Sequence, residues 1–415
     1  MVYVLNKDGK PLMPTTRLGR VSHLLKENKA IIVDYKPFTI KLIYETEDRT
    51  QEVSLGVDAG SKHVGFSATT SKKVLFEAQL ELRTDIVKKL ATRREFRRTR
   101  RYRKTRYRKH RFLNRTKSKK SGWVAPSIQN KIDSHIYWIN KIHKFLPIVK
   151  TIVEVAQFDP RLLKAKEQGL PKLYGADYQQ GEQLGFWNVR EYVLFRDNHT
   201  CQCCKGKSKD PILNVHHIES RKTGGDAPNN LVTLCETCHK AYHNHKNNYH
   251  LTIKRGTSYR DATFMGIMRV IILNKLYEKY GNSICRTYGY ITKHTRLKYN
   301  LPKEHTVDAR CISGNPNAII VSNPHFIRKI KCHSRQLHQS TIRKGGTRRI
   351  ISAPKELFGF RIWDSVLYNG VSYYVSGRRN SGSFRIMNAY GKYVPNNISY
   401  KKLLHSGHNN SYLYS

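Results

Sequence analysis

Two C-x2-C pairs, CQCC at 201–204 and CETC at 235–238, constrain the fold of this chain more than any other feature. Four thiolates at this spacing suit one tetrahedral Zn²⁺ ion, and a site of that kind contributes folding energy directly. Five of the eight cysteines fall between residues 201 and 238, which indicates a metal site rather than a disulfide framework spread over the chain. The alternative is a set of reduced, unligated thiols. The predicted zinc ligands are Cys201, Cys204, Cys235 and Cys238, with Cys203 left over as a structural residue.

The net charge of the chain is +46 over 415 residues, with a pI of about 10.1. Basic surface on this scale indicates a large polyanionic partner, because each neutralised phosphate releases counterions. A membrane surface is the competing partner, but no stretch reaches about 18 apolar residues, and the opening MVYVLNKDGK lacks the apolar core of a signal peptide. Hydrophobic residues make up 39% of the chain, enough for folded cores. We therefore expect a nucleic-acid-binding protein of about two to four domains.

Residues 93–111 form a basic run that holds ten Arg and two Lys against one acid, Glu95. Arg and Lys favour helices and the run contains no Pro or Gly, but like charges four residues apart repel each other along a free helix. We therefore predict a helix that is completed by bound nucleic acid; the alternative is a disordered basic linker. The residues predicted to contact nucleic acid are Arg93, Arg94, Arg97, Arg98, Arg100, Arg101, Arg103, Arg106, Arg108 and Arg111.

Strands alternate with helices on both sides of the Cys/His-rich segment 186–250, which indicates one α/β domain interrupted by another. In the N-terminal part we predict a Thr-capped amphipathic helix with Leu18, Val21, Leu24 and Leu25 on one face, followed by a strand in IIVDYKPFTIKLIYE. The segment ICRTYGYITKHTRLKYN is predicted to form a β-hairpin. The C-terminal part is basic, Gly-rich and strand-like, which predicts a small antiparallel barrel or sheet.

Three acids stand out in the basic chain: Asp58 in GVDAG, Glu154 in IVEVA and Asp308 in EHTVDA. Asp58 and Glu154 lie on apolar strands, where a lone carboxylate is unfavourable unless a metal or another partner is present. His305 and Asp308 are three residues apart, on one face of a helix. Each acid alone has an ordinary structural explanation, but their order along the chain is hard to obtain by accident. Carboxylates gathered around Mg²⁺ are what a two-metal phosphodiesterase requires.

The segments NVHHIES, GGDAPNNLVTLC and CHKAYH resemble an HNH (ββα-metal) nuclease built on a zinc knuckle. The resemblance implies that His217 is the general base that activates water against a phosphodiester, and that Asn230 braces the loop carrying this base. It also implies a Mg²⁺ site at His216 and His239, with His243 as a further ligand at H-x3-H spacing. His216 replaces the acid often found at its position and makes the site softer. The alternative is a zinc knuckle that only binds nucleic acid, which leaves these histidines without a role.

The order of a D-x-G strand, a strand with a Glu and an H-x-x-D helix resembles a RuvC-like nuclease of the RNase H fold, divided into three segments. With the Arg-rich run after the first segment, the HNH segment before the third and KPLMPTTRLGR near the N-terminus, the chain resembles the IscB family of transposon-associated RNA-guided nucleases. The implied fold class is α/β: an RNase H-like (RuvC) domain split in three, an inserted ββα-metal HNH domain, a small N-terminal α/β domain and a C-terminal β-rich domain. The implied boundaries are 1–52 for the PLMP-like N-terminal domain, 53–82, 119–185 and 251–330 for the RuvC segments, 83–118 for an arginine-rich bridge helix, 186–250 for the HNH domain and 331–415 for the C-terminal domain.

This resemblance implies an RNA-guided DNA endonuclease, in which a guide RNA pairs with one DNA strand. The HNH site would cut that strand and the RuvC site the displaced one. Asp58, Glu154, His305 and Asp308 would form the RuvC site, with the three acids as Mg²⁺ ligands. The implied partners are an omega-RNA-like guide and double-stranded DNA, bound by a monomeric ribonucleoprotein in the cytoplasm (nucleoid) of a prokaryote, or in an organelle. The C-terminal domain would contact a short target-adjacent motif or the RNA, and residues from the first fifty could join it in reading the motif.

Two other classes of function fit parts of the sequence. An unguided HNH/RuvC nuclease of the homing or junction type would read DNA directly, but a charge of +46 exceeds what a short DNA site demands. A ribosomal or RNA-chaperone-like binder with a zinc knuckle would need neither the three acids nor His217. The RNA-guided nuclease is therefore the preferred prediction.

Overall fold

The computed structural model of the chain describes residues 1–101, 122–155, 164–165, 169, 183–219, 225–244, 253–256, 260–330, 354–409 and 411–415. Of the basic run, Arg103, Arg106, Arg108 and Arg111 lie outside the described residues. The chain forms two compact units, the first made of Met1–Val87, Arg93–Gln157 and Phe264–Ser415 and the second of Lys88–Thr92 and Phe158–Thr263. No helix within the described ranges is long and apolar enough to cross a membrane.

Strands and helices are numbered in chain order. The strands are β1 (Tyr3–Leu5), β2 (Ala30–Tyr35), β3 (Phe38–Leu42), β4 (Val53–Ala59), β5 (His63–Thr69), β6 (Lys73–Glu81), β7 (Ile148–Glu154), β8 (Leu213–His217), β9 (Leu231–Cys235), β10 (Ile284–Thr287), β11 (Ile319–Ile320), β12 (His325–Lys329), β13 (Ser365–Tyr368), β14 (Val371–Arg378), β15 (Ser383–Met387), β16 (Ile398–Ser399), β17 (Leu404–Gly407) and β18 (Tyr412–Tyr414). The helices are α1 (Leu18–Lys26), α2 (Ile86–Arg101), α3 (Pro126–Phe145), α4 (Val189–Arg196), α5 (Glu236–His243), α6 (Arg260–Tyr280), α7 (Gly289–Lys298) and α8 (His305–Ile312). Short 3₁₀ turns lie at Pro228–Asn230, Gly281–Ser283 and Tyr400–Lys402.

The first unit is built on a sheet with the strand order β10-β7-β4-β5-β6-β12-β18, in which β11 also pairs with β6. Strands β4, β5 and β6 form an antiparallel meander, and β7 and β10 extend the sheet parallel to β4. The strands come from separate parts of the chain, on both sides of the segment that forms the second unit. Because β4 and β7 are parallel, their carboxyl ends meet at one edge of the sheet.

The inner strands of this sheet carry nearly unbroken buried runs, because a sheet covered on both faces needs apolar residues on both. Leu55 on β4 and Phe66 on β5 are fully buried. Helix α3 begins at Pro126, because proline suits the first turn of a helix. It contributes Trp138 and Ile139 to the same core. This core fixes the sheet edge on which the acids lie.

The N-terminal part of the first unit is a small sheet in the order β1-β3-β2, with α1 between β1 and β2 in the chain. The segment IIVDYKPFTIKLIYE forms two strands rather than the predicted single strand, because a turn at Lys36–Pro37 separates β2 from β3. The predicted Thr cap is wrong, since α1 follows Arg17 and has no side-chain capping bond. The predicted apolar face is right for Val21, which is buried, but not for Leu18, which is 64% exposed.

The predicted hairpin in ICRTYGYITKHTRLKYN is also wrong. Its first part is β10, which runs parallel to β7, and its second part is helix α7. Helix α7 packs against α8, so tertiary contacts decide its conformation and short-range alternation does not. The C-terminal residues form an antiparallel sheet in the order β16-β15-β14-β13-β17, in agreement with the predicted β-rich end of the chain.

The second unit contains α4, the antiparallel pair β8–β9 and α5. Helix α4 begins after Asn188, whose side chain accepts a hydrogen bond from the backbone N–H of Glu191 at 3.0 Å, a common way to satisfy a free helix end. Strand β8 pairs with β9 so that His217 stands opposite Leu231 and Leu213 opposite Cys235. The order of two strands and a helix places the His pair and the second Cys pair in one small unit.

A histidine in the first core predicts how stability depends on pH. His135 on α3 is fully buried, its Nδ1 donates to the Lys131 carbonyl at 2.8 Å, and burial lowers its pKa to about 4. Since this pKa is lower in the folded than in the unfolded chain, the neutral ring stabilises the fold above about pH 6.5, and that contribution is lost as the pH falls towards 4. When this contribution is completely lost, the free energy of unfolding is lower by about 3 kcal/mol.

His135→Gln removes the titration but keeps an N–H donor. In chemical unfolding between pH 7 and pH 4, the free energy of unfolding of the wild-type chain should fall more steeply than that of the variant. Equal slopes for the two proteins would contradict the account.

Candidate functional site

Asp58 and Glu154 lie at neighbouring strand ends. In the parallel pairing of β4 with β7, Val57 stands opposite Val153, so the residue that follows each of them, Asp58 or Glu154, reaches the same sheet edge. The Asp58 side chain is only 14% exposed. The apolar strands therefore bring the two carboxylates to one edge of the sheet, in a partly buried position.

Helix α8 brings His305 and Asp308 to this edge, and two glycines allow its close approach. A Cβ atom at Gly65 would lie 1.8 Å from the backbone oxygen of His305, and one at Gly56 would lie 1.9 Å from that of Ala309. Atoms that are not bonded to each other do not approach this closely, so a side chain at either position would force α8 away from the sheet. The two glycines are therefore part of what positions the histidine and the acid.

Gly65→Ala should consequently displace α8 and destabilise the first unit by roughly 1–3 kcal/mol, the usual effect of an extra methyl group in a packed interior. Gly266→Ala is the matched control, because Gly266 lies on α6 with nothing within 4 Å of an added Cβ. That control should leave stability unchanged or raise it by about 0.5–1 kcal/mol, since Ala favours a helix over Gly. Urea unfolding of both variants makes the comparison, and equal stability would contradict the close packing.

His305 and Asp58 form a close pair. The Nδ1 atom of His305 lies 2.6 Å from Asp58 Oδ2, and the His63 ring stacks on the His305 ring with 5.5 Å between centroids. The hydrogen bond to Asp58 is the main reason why the pKa of His305 is raised. Burial, with a contribution from His305, lowers the pKa of His63. His305 is therefore a stronger base than an ordinary histidine, and it lies against the Asp58 carboxylate.

Glu154 and Asp308 complete the group of acids. Glu154 Oε2 accepts a hydrogen bond from Thr292 Oγ1 at 2.5 Å. Asp308 Oδ1 forms an ion pair with Arg296 Nε at 2.9 Å, and both side chains are largely buried. Burial raises the pKa of both carboxyl groups, and the Asp58 charge raises them further. A divalent cation would stabilise the ionised forms, and carboxylate oxygens are the ligands that Mg²⁺ prefers. The ligand atoms of Asp58, Glu154 and Asp308 do not all lie within 4.8 Å of one another, so these residues share one edge of the sheet without forming a closed group of ligands.

Thr292 and Arg296 were missed by sequence analysis, because their segment was assigned to a hairpin. Four residues apart on α7, they both reach the acids, Thr292 through Glu154 and Arg296 through Asp308. The start of the same helix also approaches this group, since a Cβ at Gly289 would lie 3.1 Å from Glu154 Oε1. The i, i+4 spacing of Thr292 and Arg296 places both side chains on one face of a helix. This signal can be used only once α7 is recognised as a helix.

In the second unit, His217 ends β8 beside a loop that Asn230 braces. His217 Nε2 bonds to Asp226 Oδ1 at 2.9 Å, and when Nε2 donates this bond, Nδ1 keeps a lone pair that can accept a proton. The buried Asn230 amide donates to the carbonyl oxygens of Glu219 and Gly225 at 3.0 and 2.9 Å, and its Oδ1 accepts from the Glu219 N–H at 2.9 Å. These bonds join the two sides of the loop next to His217. Sequence analysis did not single out Asp226, which lies in GGDAPNN.

His216, His239 and His243 bring three imidazoles together, with their ligand atoms within 4.8 Å of one another. His216 Nε2 is buried without a hydrogen-bond partner, as expected of an atom that is reserved for a metal. Burial is the main cause that lowers the pKa of His216 to about 4, which keeps its ring neutral. These residues fit a divalent cation. Three imidazoles suit Zn²⁺ or another transition metal better than the predicted Mg²⁺.

The four predicted zinc ligands also converge, with sulfur atoms within 4.8 Å of one another. Cys204 Sγ and Cys235 Sγ are 3.9 Å apart, close to the roughly 3.8 Å that tetrahedral Zn–S bonds produce. The Cys235 sulfur also accepts a hydrogen bond from the backbone N–H of Cys238 at 3.4 Å. Cys203 is not a member of the group. The donors present therefore fit a structural Zn²⁺ ion.

The first part of the basic run is helical, as predicted for residues up to 101. Helix α2 contains Arg93, Arg94, Arg97, Arg98, Arg100 and Arg101. Their contact with nucleic acid remains a prediction.

Two family models match different parts of the chain. Residues 2–181 match the RRXRR protein family, and residues 201–245 match the HNH endonuclease family. No curated protein shows significant similarity to the chain.

Among solved structures, Streptococcus thermophilus Cas9 in complex with AGGA PAM is 14% identical over 46% of this chain and 26% of that chain, with a TM-score of 0.30. The same protein in complex with the AGAA PAM is 13% identical over 61% of this chain and 32% of that chain, with a TM-score of 0.33. The chain thus spans a third or less of the length of these structures.

The HNH match covers the four thiols, the three imidazoles and the His217 loop described above. The RRXRR match covers β4, β7 and the basic helix α2, and this family is found in IscB- and Cas9-like nucleases. The chain therefore has an HNH endonuclease domain joined to a region that matches the RRXRR family, and the two matches are consistent with the predicted resemblance to IscB-like nucleases.

Proposed function

We propose that the chain is an RNA-guided DNA endonuclease with two separate sites for phosphodiester hydrolysis. The observation that carries the proposal is that two sets of residues suited to this reaction lie in two compact units of one chain. One set surrounds Asp58 and His305, and the other surrounds His217 and Asp226. A protein that only binds nucleic acid needs neither set, and an enzyme that cuts one strand needs only one of them.

We assign the large sheet of the first unit to a RuvC domain of the RNase H fold. The assignment is supported by the antiparallel meander β4–β6 continued by the parallel strands β7 and β10, and by the acids at the carboxyl edge. The segments 53–82, 119–185 and 251–330 would form this domain, interrupted by the bridge helix and by the HNH domain. The C-terminal sheet would then contact the motif beside the target.

At the HNH site, His217 takes a proton from the attacking water through Nδ1. Asp226 fixes the ring through Nε2 and stabilises the imidazolium that results. Asn230 holds the loop beside the base through its bonds to Glu219 and Gly225. The three imidazoles would hold a divalent ion, which neutralises charge on the phosphate and on the leaving oxygen. This site is proposed to cut the strand that pairs with the guide.

At the RuvC site, Asp58, Glu154 and Asp308 would hold divalent cations, which supply charge neutralisation at the attacking and leaving oxygens. His305, whose pKa is raised by Asp58, accepts the proton of the attacking water. Thr292 hydrogen-bonds Glu154 and so keeps this carboxylate oriented. The site is proposed to cut the displaced strand.

A guide RNA explains the amount and the distribution of positive charge. The chain carries +46, and α2 alone presents a dense row of arginines. A helix of this kind suits the closely spaced phosphates of RNA, because each arginine can bind a phosphate bidentately. We propose that α2 and the residues that follow it form the bridge helix that binds the guide before DNA arrives.

Sequencing the nucleic acid that co-purifies with the full-length chain from its native genomic context tests this proposal. A discrete RNA species is expected. Arg94→Ala/Arg98→Ala should reduce its yield, because these exposed residues lie one turn apart on α2. Lys144→Ala/Lys150→Ala removes the same charge from exposed residues of α3 and β7 and is the control. A nuclease-active preparation without discrete RNA would refute guidance and support the unguided homing or junction type.

A further inference from the structure

A third cluster of metal-ligating side chains lies outside both proposed nuclease sites. Among the described residues, three groups of His, Cys, Asp or Glu place their ligand atoms within 4.8 Å of one another. Two are the thiols and the imidazoles already described, which the sequence predicted as metal sites. The third group, Asp364, His405 and His408, lies in the C-terminal sheet and matches no motif.

The pairing of two strands assembles this cluster. Asp364 directly precedes β13, His405 lies on β17, and β13 and β17 pair so that Val366 stands opposite His405. Asp364 is 1% exposed, with Oδ1 2.7 Å from His408 Nδ1 and Oδ2 3.2 Å from His405 Nε2. The two imidazole rings lie side by side, 4.6 Å between centroids. One buried carboxylate thus faces two ring nitrogens, one at each of its oxygens.

The residues around the cluster hold it rigidly. The backbone N–H of Arg361 donates to Asp364 Oδ2 at 2.7 Å, which fixes the carboxylate. The Asn409 amide donates to Ser365 Oγ at 2.7 Å, and so connects the residue after His408 with the residue after Asp364. Such outer contacts orient the ligands of a metal site before the ion arrives.

The contacts of the carboxylate suit a metal ligand set. Asp364 Oδ2 accepts the Arg361 N–H, and each of its two oxygens also faces one imidazole nitrogen. One cation can bind both imidazole nitrogens and the carboxylate, because their ligand atoms lie within 4.8 Å of one another. The side chains of His405 and His408 are 33% and 45% exposed, which leaves the cluster open to water as a fourth ligand.

We propose that Asp364, His405 and His408 bind one Zn²⁺ ion that ties the start of β13 to the end of β17. Two imidazoles and a carboxylate are a ligand set that Zn²⁺ accepts, while Mg²⁺ prefers oxygen ligands and water. Lys36, from the turn between β2 and β3, donates to Ser365 Oγ at 3.1 Å. The ion would therefore stabilise the end of the C-terminal sheet that Lys36, in the N-terminal part of the same unit, contacts through this hydrogen bond.

The test measures zinc per chain in the full-length protein by mass spectrometry, after equilibration with Zn²⁺ and removal of free metal. His405→Gln/His408→Gln should bind about one ion fewer than the wild type, and Asp364→Asn should show the same loss. His23→Gln, at an exposed histidine on α1 outside every cluster among the described residues, is the matched control and should lose none. An unchanged count in the double variant, or an equal loss in the control, would overturn the proposal.

A local loss must be distinguished from general unfolding. The single variant His408→Gln changes the more exposed ring and should also lose about one ion, with an unchanged far-ultraviolet circular dichroism spectrum. In cobalt-substituted protein, the thiolate charge-transfer band of the four-cysteine site should keep its intensity in this variant. If that band falls together with the metal count, the loss is not specific to the third cluster and the proposal is wrong.

Discussion

Asp58→Ala is expected to leave one DNA strand uncut, and His217→Ala to leave the other strand uncut. Each substitution removes a group from only one of the two sites: Asp58 bonds to His305 in the first unit, and His217 bonds to Asp226 in the second. Loss of a general base or of a metal-ligating carboxylate should slow cutting of the affected strand by about 100-fold or more. Supercoiled target DNA would then be converted to a nicked circle instead of a linear product.

End-labelled duplexes on a denaturing gel identify the nicked strand. The variants Asp133→Ala and His23→Ala are matched controls, since Asp133 is an exposed residue of α3 and His23 an exposed residue of α1. Both controls should cut both strands. If either Asp58→Ala or His217→Ala stopped both cuts equally, the assignment of one strand to each site would be wrong.

Cys235→Ser should release one Zn²⁺ ion and unfold the HNH domain. Cys235 contributes its sulfur to the four-thiol group, its side chain caps α5, and it ends β9, so three features of the fold meet at this residue. Zinc in such a site contributes on the order of 10 kcal/mol to folding, far more than a small unit can lose. Metal analysis and limited proteolysis would show the loss of zinc and rapid cleavage between residues 186 and 250.

Cys203→Ser provides the control, because Cys203 lies between two of the ligands in sequence but outside the group of four. It should keep both the zinc and the protease resistance. Unchanged zinc in Cys235→Ser, or equal loss in both variants, would contradict the proposed ligand set.

Much of both proposed sites could be predicted from residue spacing. The two C-x2-C pairs, the His pair and His239 lie within one short segment, where local spacing nearly determines which side chains can meet. Asp58 and Glu154 were found because a carboxylate on an apolar strand is unusual, and the parallel pairing of β4 with β7 brings them to one edge. In these cases the feature that singles out the residues in the sequence, either local spacing or a carboxylate on an apolar strand, also decides where they lie in the fold.

The residues that sequence analysis missed depend on contacts between parts of the chain that are far apart in sequence. Gly56 on β4 and Gly65 on β5 are needed because α8 packs directly against both of them. The sequences of these two strands do not show which helix packs there. Thr292 and Arg296 were missed because α7 was predicted as a hairpin, although its helix is stabilised by packing. Asp364 and His405 are 41 residues apart and meet through the pairing of β13 with β17.

Re-targeting tests the central claim most directly. The full-length chain is combined with its co-purifying RNA, in which only the guide segment is replaced, and is given two plasmids that differ only in the matching sequence. The account predicts a double-strand cut in the plasmid that matches the new guide and none in the other. Equal cutting of both plasmids, or cutting that still follows the original sequence, would contradict RNA-guided recognition.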